Sequence, residues 1–319
     1  MSLLNCDTHR GFDSVTGLHC VDQEILSPTG RILPHEHIFC DFTRITGNSD
    51  HLLNDLELAK RELVDFKKSG GQVVVDITPI DLGREPKKLM TLSLASEVNI
   101  IMSTGWYRKA FYPAYIDELT TKELAKILIE DLTIGIDIGD GQRAYAGLIG
   151  EIGVDRDVVS AIEERVLRAS AFAHLETGSP ISTHSSMYPV GRSQLDILLH
   201  EGVSPTRVII GHADTYLDTD YHLELLDLGV FLQFDTFGRN HMNPHEARMD
   251  SLLNLISKGY RDQLLISSDR CFRSDLKSFG GLGYDYVVGP LSEDFLARGL
   301  TSDDVDALLH TNPLRALSW

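Results

Sequence analysis

"ILPHEHIFCDF", residues 32–42, is an apolar segment typical of a buried β-strand, but it carries two histidines, His35 and His37. Side chains along a strand alternate between its two faces, so both imidazoles point to one side and Glu36 points to the other. Neutral imidazoles are common ligands of transition metals. The segment therefore predicts the first strand of a sheet and one part of a metal site.

Seven further apolar segments follow, and each is bounded by turn residues and precedes an amphipathic stretch. In order they are "GQVVVDITPI", "VNIIMSTGW", "AGLIGEIGV", "SPISTHSS", "RVIIGHAD", "VFLQFDTFG" and "QLLISSDR". Alternating helices and almost wholly apolar strands are typical of a parallel sheet covered by helices, and eight strands close a barrel. We predict an α/β fold, a (β/α)8 TIM barrel with a short N-terminal extension, in one domain over residues 1–319.

The composition restricts the partners of the chain. It has 47 acidic and 29 basic side chains and a net charge of -18, so its field repels nucleic-acid phosphates and anionic membrane surfaces. The first residues lack the pattern of a secretory signal, and no apolar run is long enough to span a membrane. Four widely spaced cysteines without a CxxC pair are typical of free thiols. We predict a cytoplasmic protein that binds neither nucleic acid nor membranes.

Polar residues interrupt the predicted strands near their carboxyl ends, which form the active face of a TIM barrel. They are His35, His37, Glu151, His184, His212 and Asp269. A single histidine in an apolar segment is more often a hydrogen-bonded core residue than a ligand, whereas a carboxylate there is costly unless paired or coordinated. Six donors exceed what one catalytic zinc needs and favour two metal ions that share a bridging carboxylate. For Asp76 and Asp235, also in strands, we expect hydrogen bonding or a substrate contact instead of ligation.

Taken in order, these motifs resemble the phosphotriesterase family of the amidohydrolase superfamily over nearly the whole chain. The matching segments are "LPHEHIFCD", "DITPIDLGR", "STGWY", "THSS", "IIGHAD", "SSDR" and the tail "GGLGYDY...NPLRAL". An HxH pair alone is a weak signal, but all these segments in sequence are specific. The resemblance implies the TIM-barrel fold and a hydrolase domain that depends on metal.

The resemblance also implies a division of the ligands between two metals. His35, His37 and Asp269 are expected to bind the more buried metal, and His184 and His212 the more exposed one. Many members bridge the metals with a carbamylated lysine, whereas "GEIG" offers Glu151, as in the branch that includes the phosphotriesterase-related and phosphotriesterase homology proteins. Because the well-known triesterases belong to the lysine group, this departure disfavours phosphotriester hydrolysis.

Hydrolysis by a bridging hydroxide is the mechanism that the resemblance implies. The two metals lower the pKa of a bridging water, and the hydroxide attacks a carbonyl or phosphoryl centre. Asp269 is the expected catalytic residue, which takes up the proton and passes it towards the leaving group. Zinc is the expected metal, although manganese, cobalt and iron accept the same donors.

The substrate depends on the loops at the barrel mouth. Arg270 and Arg273 follow the last strand and Arg239 follows the seventh, and cations at one opening of so acidic a protein favour an anionic substrate group. Arg270 and Arg273 can instead pair with loop acids such as Asp275. Tyr107, after the third strand, either lines the substrate pocket or packs within its loop.

Three functions remain open at this point. The first is a lactonase or esterase that acts on a small anionic substrate such as a phosphorylated sugar lactone. The second is an amide hydrolase for an N-acylated small acid or sulfonate, which releases an amine instead of a hydroxy acid. The third is a metal-containing protein that binds a ligand without turnover. A homodimer is a further expectation, because relatives in this family are often dimers.

Overall fold

The computed structural model describes residues 17–22 and 25–319. Its centre is a sheet of eight strands in which each strand pairs in parallel with the next. The strands, numbered β1 to β8, are Arg31–Glu36, Gly71–Asp76, Asn99–Thr104, Ala146–Gly153, Ile181–His184, Val208–Gly211, Phe231–Phe234 and Leu264–Ile266. Their order in the sheet is their order in the chain. Seven of them lie inside the segments that the sequence predicts, and β1 begins one residue before its segment, at Arg31.

Hydrogen bonds between β1 and the segment after β8 bring the two edges of the sheet together. The backbone N–H of His35 donates to the Ser267 hydroxyl at 3.2 Å, and the N–H of Asp269 donates to the His35 carbonyl at 3.3 Å. The N–H of His37 donates to the Arg270 carbonyl at 3.2 Å. The sheet is therefore a nearly closed barrel, which confirms the predicted TIM-barrel fold.

Helices surround the barrel, and the first seven long ones each follow the strand of the same number. The helices, α1 to α10, are Leu56–Lys68, Pro86–Ser96, Thr121–Thr133, Ala161–Thr177, Gly191–His200, Thr219–Asp227, His245–Ser257, Ser292–Ala297, Ser302–Asp306 and Asn312–Leu317. Capping boxes at Thr120 and Ser160 satisfy the free N–H groups at the starts of α3 and α4. Single helical turns at Thr43–Thr46 and Tyr115–Glu118 lie in loops, and wider π-helical turns, Val287–Leu291 and Ala307–Thr311, precede α8 and α10.

Apolar side chains fill the barrel beneath its carboxyl end. Ile32, Val73, Val75, Ile101 and Leu148 are fully buried in one interior cluster. A larger cluster lies between the strands and the helices. Within regular stretches of strand, such as residues 73–75, the alternation of side chains accounts for both layers.

The opposite end of the barrel is covered by both ends of the described chain. His19 stacks on Trp319 with ring centroids 3.9 Å apart, and the Trp319 indole donates to the Gly147 carbonyl at 2.9 Å. A Cβ at Gly147 would lie 1.9 Å from the His19 carbonyl oxygen, so only glycine fits there. The carboxyl ends of the strands therefore remain as the open face of the barrel.

Only part of the predicted N-terminal extension falls within the described residues. Leu18–His19 pairs with Ile25–Leu26 as a short antiparallel ladder, and the N–H of Val21 donates to the Ile100 carbonyl at 2.9 Å. Residues 1–16 lie outside the described residues. No helix in the described part of the chain is long and apolar enough to cross a membrane. A single domain over residues 1–319 stays a prediction.

Candidate metal centre

The six residues predicted as metal ligands lie together at the carboxyl ends of the strands. His35, Glu151 and His184 are within β1, β4 and β5, while His37, His212 and Asp269 follow β1, β6 and β8. All six are buried, with exposed fractions between 0% and 8%. The alternation argument for the HxH segment holds, since both imidazoles contact this cluster.

Glu151 is the centre of the cluster. Its Oε1 atom lies 2.6 Å from His184 Nδ1 and 2.7 Å from His212 Nε2. The same oxygen is 3.6 Å from His35 Nε2, and Oε2 is 3.8 Å from His37 Nε2. One carboxylate thus faces both pairs of histidines, which is the position that a bridging ligand needs.

The donors form two groups that share this carboxylate. His35, His37 and Glu151 offer three ligand atoms within 4.8 Å of one another, and Glu151, His184 and His212 offer another three. Asp269 lies beside the first group, because its Oδ1 atom is 3.4 Å from His37 Nε2 and 3.7 Å from His35 Nε2. These two groups follow the division of ligands that the family resemblance implies, which stays a prediction; a third group, His35, His212 and Asp235, crosses that division.

Two features of the donor atoms fit a divalent metal. His35 Nδ1 lies 3.2 Å from the Gln233 side-chain oxygen, whereas the buried His35 Nε2 has no hydrogen-bond partner among the described residues. Donation from Nδ1 leaves the lone pair of Nε2 directed at the cluster. His184 Nδ1 and His212 Nε2 lie 2.8 Å apart beside one carboxylate oxygen. A cation placed among these atoms would accept their lone pairs, which otherwise repel each other.

Hydrogen bonds to their Nδ1 atoms hold the imidazoles of His35, His37 and His212 in place. Asp235 Oδ1 accepts from His212 Nδ1 at 2.7 Å, and Asp235 Oδ2 lies 3.3 Å from His35 Nδ1. The Thr78 hydroxyl lies 2.8 Å from His37 Nδ1, and the Thr78 N–H donates to Asp76 at 3.1 Å. These contacts set which ring nitrogen carries the proton and leave the other free as a ligand. Asp235 and Asp76 thus occupy the hydrogen-bonding positions that we expect for them.

The glutamate between the two histidines has a different task. Glu36 is fully buried and accepts hydrogen bonds from the Ser267 and Ser268 hydroxyls at 2.9 and 2.7 Å. It also accepts from the N–H groups of Ser268 and Arg270 at 2.9 and 2.7 Å. These groups flank Asp269, so Glu36 fixes the backbone that carries this ligand candidate. Ser267 and Ser268 are thus hydrogen-bonding residues of this segment.

Electrostatics keep two of the central donors in the form that binds metal. Burial alone would raise the pKa of Glu151, but the His184, His212 and His35 imidazoles outweigh it and hold that pKa well below its usual range. Burial lowers the pKa of His184 to about 4, against the opposing effect of Glu151. Glu151 is therefore a carboxylate and His184 a neutral imidazole at neutral pH.

Two of the ligand candidates lie in left-handed backbone conformations. The φ angles of His212 and Asp269 are 56° and 50°, and such conformations cost on the order of 1–3 kcal/mol for residues other than glycine. The N–H of His212 donates to Asp235 at 3.1 Å, and that of Asp269 donates to the His35 carbonyl. The polar network of the site therefore maintains these conformations.

Two of the four predicted substrate-binding residues contact the cluster. The Tyr107 hydroxyl lies 3.5 Å from His184 Nε2, with ring centroids 4.8 Å apart. Arg239 Nη1 lies 3.2 Å from Asp269 Oδ2, and its Nη2 donates to Asp275 at 2.9 Å. Arg239 is only 6% exposed. Its charge therefore interacts first with the carboxylates of its own chain.

The structure places Arg270 and Arg273 in other surroundings. Arg270 is 1% exposed, and its guanidinium donates to the Phe237 carbonyl at 3.1 Å and the Gly283 carbonyl at 3.4 Å. Arg273 is half-buried and lies over the Phe279 ring, 5.0 Å from its centroid. Neither guanidinium forms a hydrogen bond or an ion pair with the six ligand candidates among the described residues. Their assignment to substrate binding stays a prediction that these positions do not support.

Three residues that support the ligands were missing from the prediction: Glu36, Thr78 and Gln233. Gln233 is fully buried in β7, where a polar side chain inside "FLQF" is a signal that resembles the histidines in other strands. Thr78 follows β2 in a mixed loop and carries no such signal. The role of Glu36 depends on which residues of the β8 loop lie opposite it, and one strand alone does not contain that information.

Comparison with known proteins connects this geometry to a family. The sequence model of the phosphotriesterase family matches residues 12–317. The phosphotriesterase homology protein of Escherichia coli is 35% identical over 286 residues, which cover 90% of this chain and 97% of that protein. Its crystal structure, with phosphate in the active site, superposes with a TM-score of 0.89 and 34% identity over 92% of this chain and 100% of that one.

Two other proteins carry names that describe an activity. An N-acetyltaurine hydrolase from Dictyostelium discoideum is 32% identical over 283 residues, covering 83% of this chain and 74% of that protein. The crystal structure of a lactonase from Listeria monocytogenes gives a TM-score of 0.87 at 26% identity, covering 95% of this chain and 99% of that one. Proteins of similar fold thus include hydrolases of amides and of lactones.

We expect Glu151→Gln to lose bound metal, because the amide removes the negative charge that both histidine pairs share. Metal content measured by elemental mass spectrometry should fall from about two ions per chain to well below one, and metal should no longer raise the unfolding temperature. The exposed Glu176→Gln in α4 is the matched control and should keep the metal. Two retained ions in Glu151→Gln would exclude a bridging role.

Asp235→Asn should weaken metal binding without abolishing it. The substitution removes the charge that orients His35 and His212, and loss of such a partner typically lowers metal affinity by about 10- to 100-fold. Affinity is measured by competition with a chromogenic chelator. Asp250→Asn, an exposed position in α7, controls for the change in net charge. An affinity equal to that of the wild type would show that Asp235 does not orient the ligands.

Proposed function

Because the chain belongs to the phosphotriesterase family, we propose that it is a binuclear metal-dependent hydrolase that cleaves a small anionic ester or lactone. The family and its hydrolase relatives make this chain a hydrolytic enzyme. The observation that carries the two-metal assignment is the pair of three-donor groups joined at Glu151. Six donors divided in this way suit two ions better than one.

We assign His35, His37 and Asp269 to the more buried metal and His184 and His212 to the more exposed one, with Glu151 between them. Two divalent ions, when bound, lower the pKa of water and polarise the scissile carbonyl. Zinc is the metal that we propose, since nitrogen and oxygen donors of this kind suit it. A cytoplasmic location and a homodimer stay predictions.

Asp269 is the group that we propose as proton acceptor. Burial disfavours its ionised form, but Arg239 and the His37, His212 and His35 imidazoles lower the pKa of Asp269 below its usual range. It is therefore a carboxylate at neutral pH. Arg239 holds Oδ2 while Oδ1 faces His35 and His37. This arrangement leaves Asp269 beside the place where water must be activated, as a general base requires.

Two kinds of bond are candidates for cleavage: an ester or lactone, and an amide. The lactonase from Listeria monocytogenes supports an ester or lactone, and a phosphorylated sugar lactone remains our first choice. The N-acetyltaurine hydrolase from Dictyostelium discoideum supports an amide of a small sulfonate. The same donor set serves both, because either reaction begins with attack of water on a carbonyl carbon. Ligand binding without turnover loses its support, since the family relatives are hydrolases.

Metal content and product analysis test this proposal together. Protein purified without chelator is analysed by elemental mass spectrometry, and we expect about two transition-metal ions per chain. The loaded enzyme is then incubated with phosphorylated sugar lactones and with N-acyl amino acids and N-acyl sulfonates. A hydroxy acid as product supports the lactonase, and an amine supports the amidase. One ion per chain would refute the binuclear site, and two ions without hydrolysis of either class would refute the substrate assignment.

Asp269→Asn should reduce kcat strongly, because the amide cannot accept a proton. General-base groups contribute about 10²- to 10⁴-fold to rate, so we expect a loss in this range on whichever ester or amide the wild type hydrolyses. Metal content is measured in the same samples, since Asp269 also lies beside the first metal group. A variant that retains both metals and wild-type kcat would exclude Asp269 as the base.

A further inference from the structure

We propose that Arg108, in the loop after β3, binds the anionic group of the substrate. The proposal rests on the proposed function and deepens it by naming the residue that selects an anion. The group recognised is an oxyanion of the carboxylate, sulfonate or phosphate type. Arg108 was not among the cations that the sequence motifs indicated.

Arg108 and the ligand candidate His184 both contact Tyr107. Tyr107 is in contact with His184, as its hydroxyl is 3.5 Å from Nε2 of that residue. The Arg108 guanidinium carbon lies over the same Tyr107 ring, 5.0 Å from its centroid. It also lies 5.6 Å from the centroid of Phe111. A substrate whose reacting bond is at His184 therefore places its remote end near Arg108.

The backbone that carries Arg108 is held on both sides. The Tyr107 N–H donates to Asp81 Oδ1 at 2.9 Å, and the Tyr107 carbonyl accepts from the N–H of Gly153 at the end of β4. Asp81 is half-buried in the turn after β2. The loop is thus tied to two neighbouring strand ends, so the guanidinium starts from a defined place and a ligand loses less entropy on binding.

Arg108 forms an ion pair with Asp155, but its side chain makes no hydrogen bond within the described part of the chain. The nearest carboxylate oxygen, Asp155 Oδ1, is 3.7 Å from Nε, beyond hydrogen-bond distance. No hydrogen bond joins the Arg108 side chain to another residue in the ranges 17–22 and 25–319, and its Nε is buried without a partner. The side chain as a whole is 31% exposed, so solutes reach it.

The other arginines near the mouth differ in this respect. The two Nη groups of Arg239 contact Asp269, Asp275 and Cys271, although its Nε is also buried without a partner among the described residues. Arg270 is buried and bonds to backbone carbonyls. Arg44 donates to the Phe111 carbonyl. Of these four arginines, Arg108 is the one whose side chain makes no hydrogen bond among the described residues, so its donors are the ones open to an incoming oxyanion.

A guanidinium that lies beside two aromatic rings is well suited to this task. Its planar fork donates two parallel hydrogen bonds to a carboxylate, sulfonate or phosphate. Stacking on Tyr107 and Phe111 restricts the rotation of that fork. Since the whole chain carries a charge of -18, a local cation is needed to retain an anion at this face.

The test uses pairs of probes on the metal-loaded enzyme. Binding of the non-hydrolysable sulfonate 4-acetylbenzenesulfonate is compared with that of neutral acetophenone by titration calorimetry. Hydrolysis of 4-acetoxybenzoate, 4-acetoxybenzenesulfonate and 4-acetoxyphenyl phosphate is compared with that of neutral phenyl acetate. The anion with the largest advantage over the neutral ester identifies the preferred oxyanion. The variants are Arg108→Gln and Arg108→Lys, with the exposed Arg156→Gln in the next βα loop as a control for charge.

In Arg108→Gln, we expect the Kd of the sulfonate and the KM of the preferred anionic ester to rise by about 10- to 100-fold, as loss of a charge-assisted hydrogen bond predicts. The values for acetophenone and phenyl acetate should change by less than about twofold, since they lack the charge. Arg108→Lys should recover part of the loss, because it keeps the charge but not the fork. Arg156→Gln should behave as the wild type.

Two outcomes would overturn the assignment of Arg108. One is a wild-type enzyme that binds the sulfonate no better than acetophenone. The other is an anion preference that Arg108→Gln retains. Loss of sulfonate binding in Arg108→Gln while none of the esters is hydrolysed would instead support the assignment and count against the ester function. The binding readout thus separates the two proposals.

Discussion

The burial of Glu151 among four imidazoles is the constraint around which this barrel is organised. A lone carboxylate in such a place would be strongly destabilising, so the surrounding groups must compensate its charge. His184 and His212 contact one oxygen, and His37 approaches the other. Because these residues come from four different strands, the site exists only when the whole sheet has closed. Folding and assembly of the metal donors are therefore the same event.

Closure of the barrel and placement of Asp269 are also linked. Glu36 points away from its neighbouring histidines and gathers the hydroxyl and N–H groups of the loop after β8. The HxH segment thus presents metal donors on one face and an anchor for the opposite edge of the sheet on the other. A strand with an apolar residue between the histidines would supply the same imidazoles but would not hold Asp269 in its left-handed conformation.

The fold and the six ligand candidates could be predicted because both follow from periodicity. Parallel strands in a barrel bring their carboxyl ends to one face, so polar residues near those ends had to meet, whatever the exact strand bounds. The residues that hydrogen-bond to the ligand candidates are harder to predict from the sequence, because Thr78 and Glu36 act through contacts between different strands. The surroundings of the loop arginines are the hardest part of the site to predict from the sequence. Arg270 precedes a turn that buries it, and the positions of its acceptors, the Phe237 and Gly283 carbonyls, depend on tertiary packing that the local sequence does not encode.

Strand ends and loops divide the chemistry of this enzyme. On the proposed function, the strand ends supply a donor set that would serve any carbonyl substrate, in keeping with relatives named N-acetyltaurine hydrolase and lactonase. Discrimination must then come from groups that are near the donors and not already neutralised. Arg239 is close but holds Asp269 and Asp275, so its charge is part of the catalytic machinery. Arg108 lies over the ring of Tyr107, is 3.7 Å from Asp155, and makes no side-chain hydrogen bond among the described residues. Selection of the substrate by its charge is therefore assigned to the loop after β3.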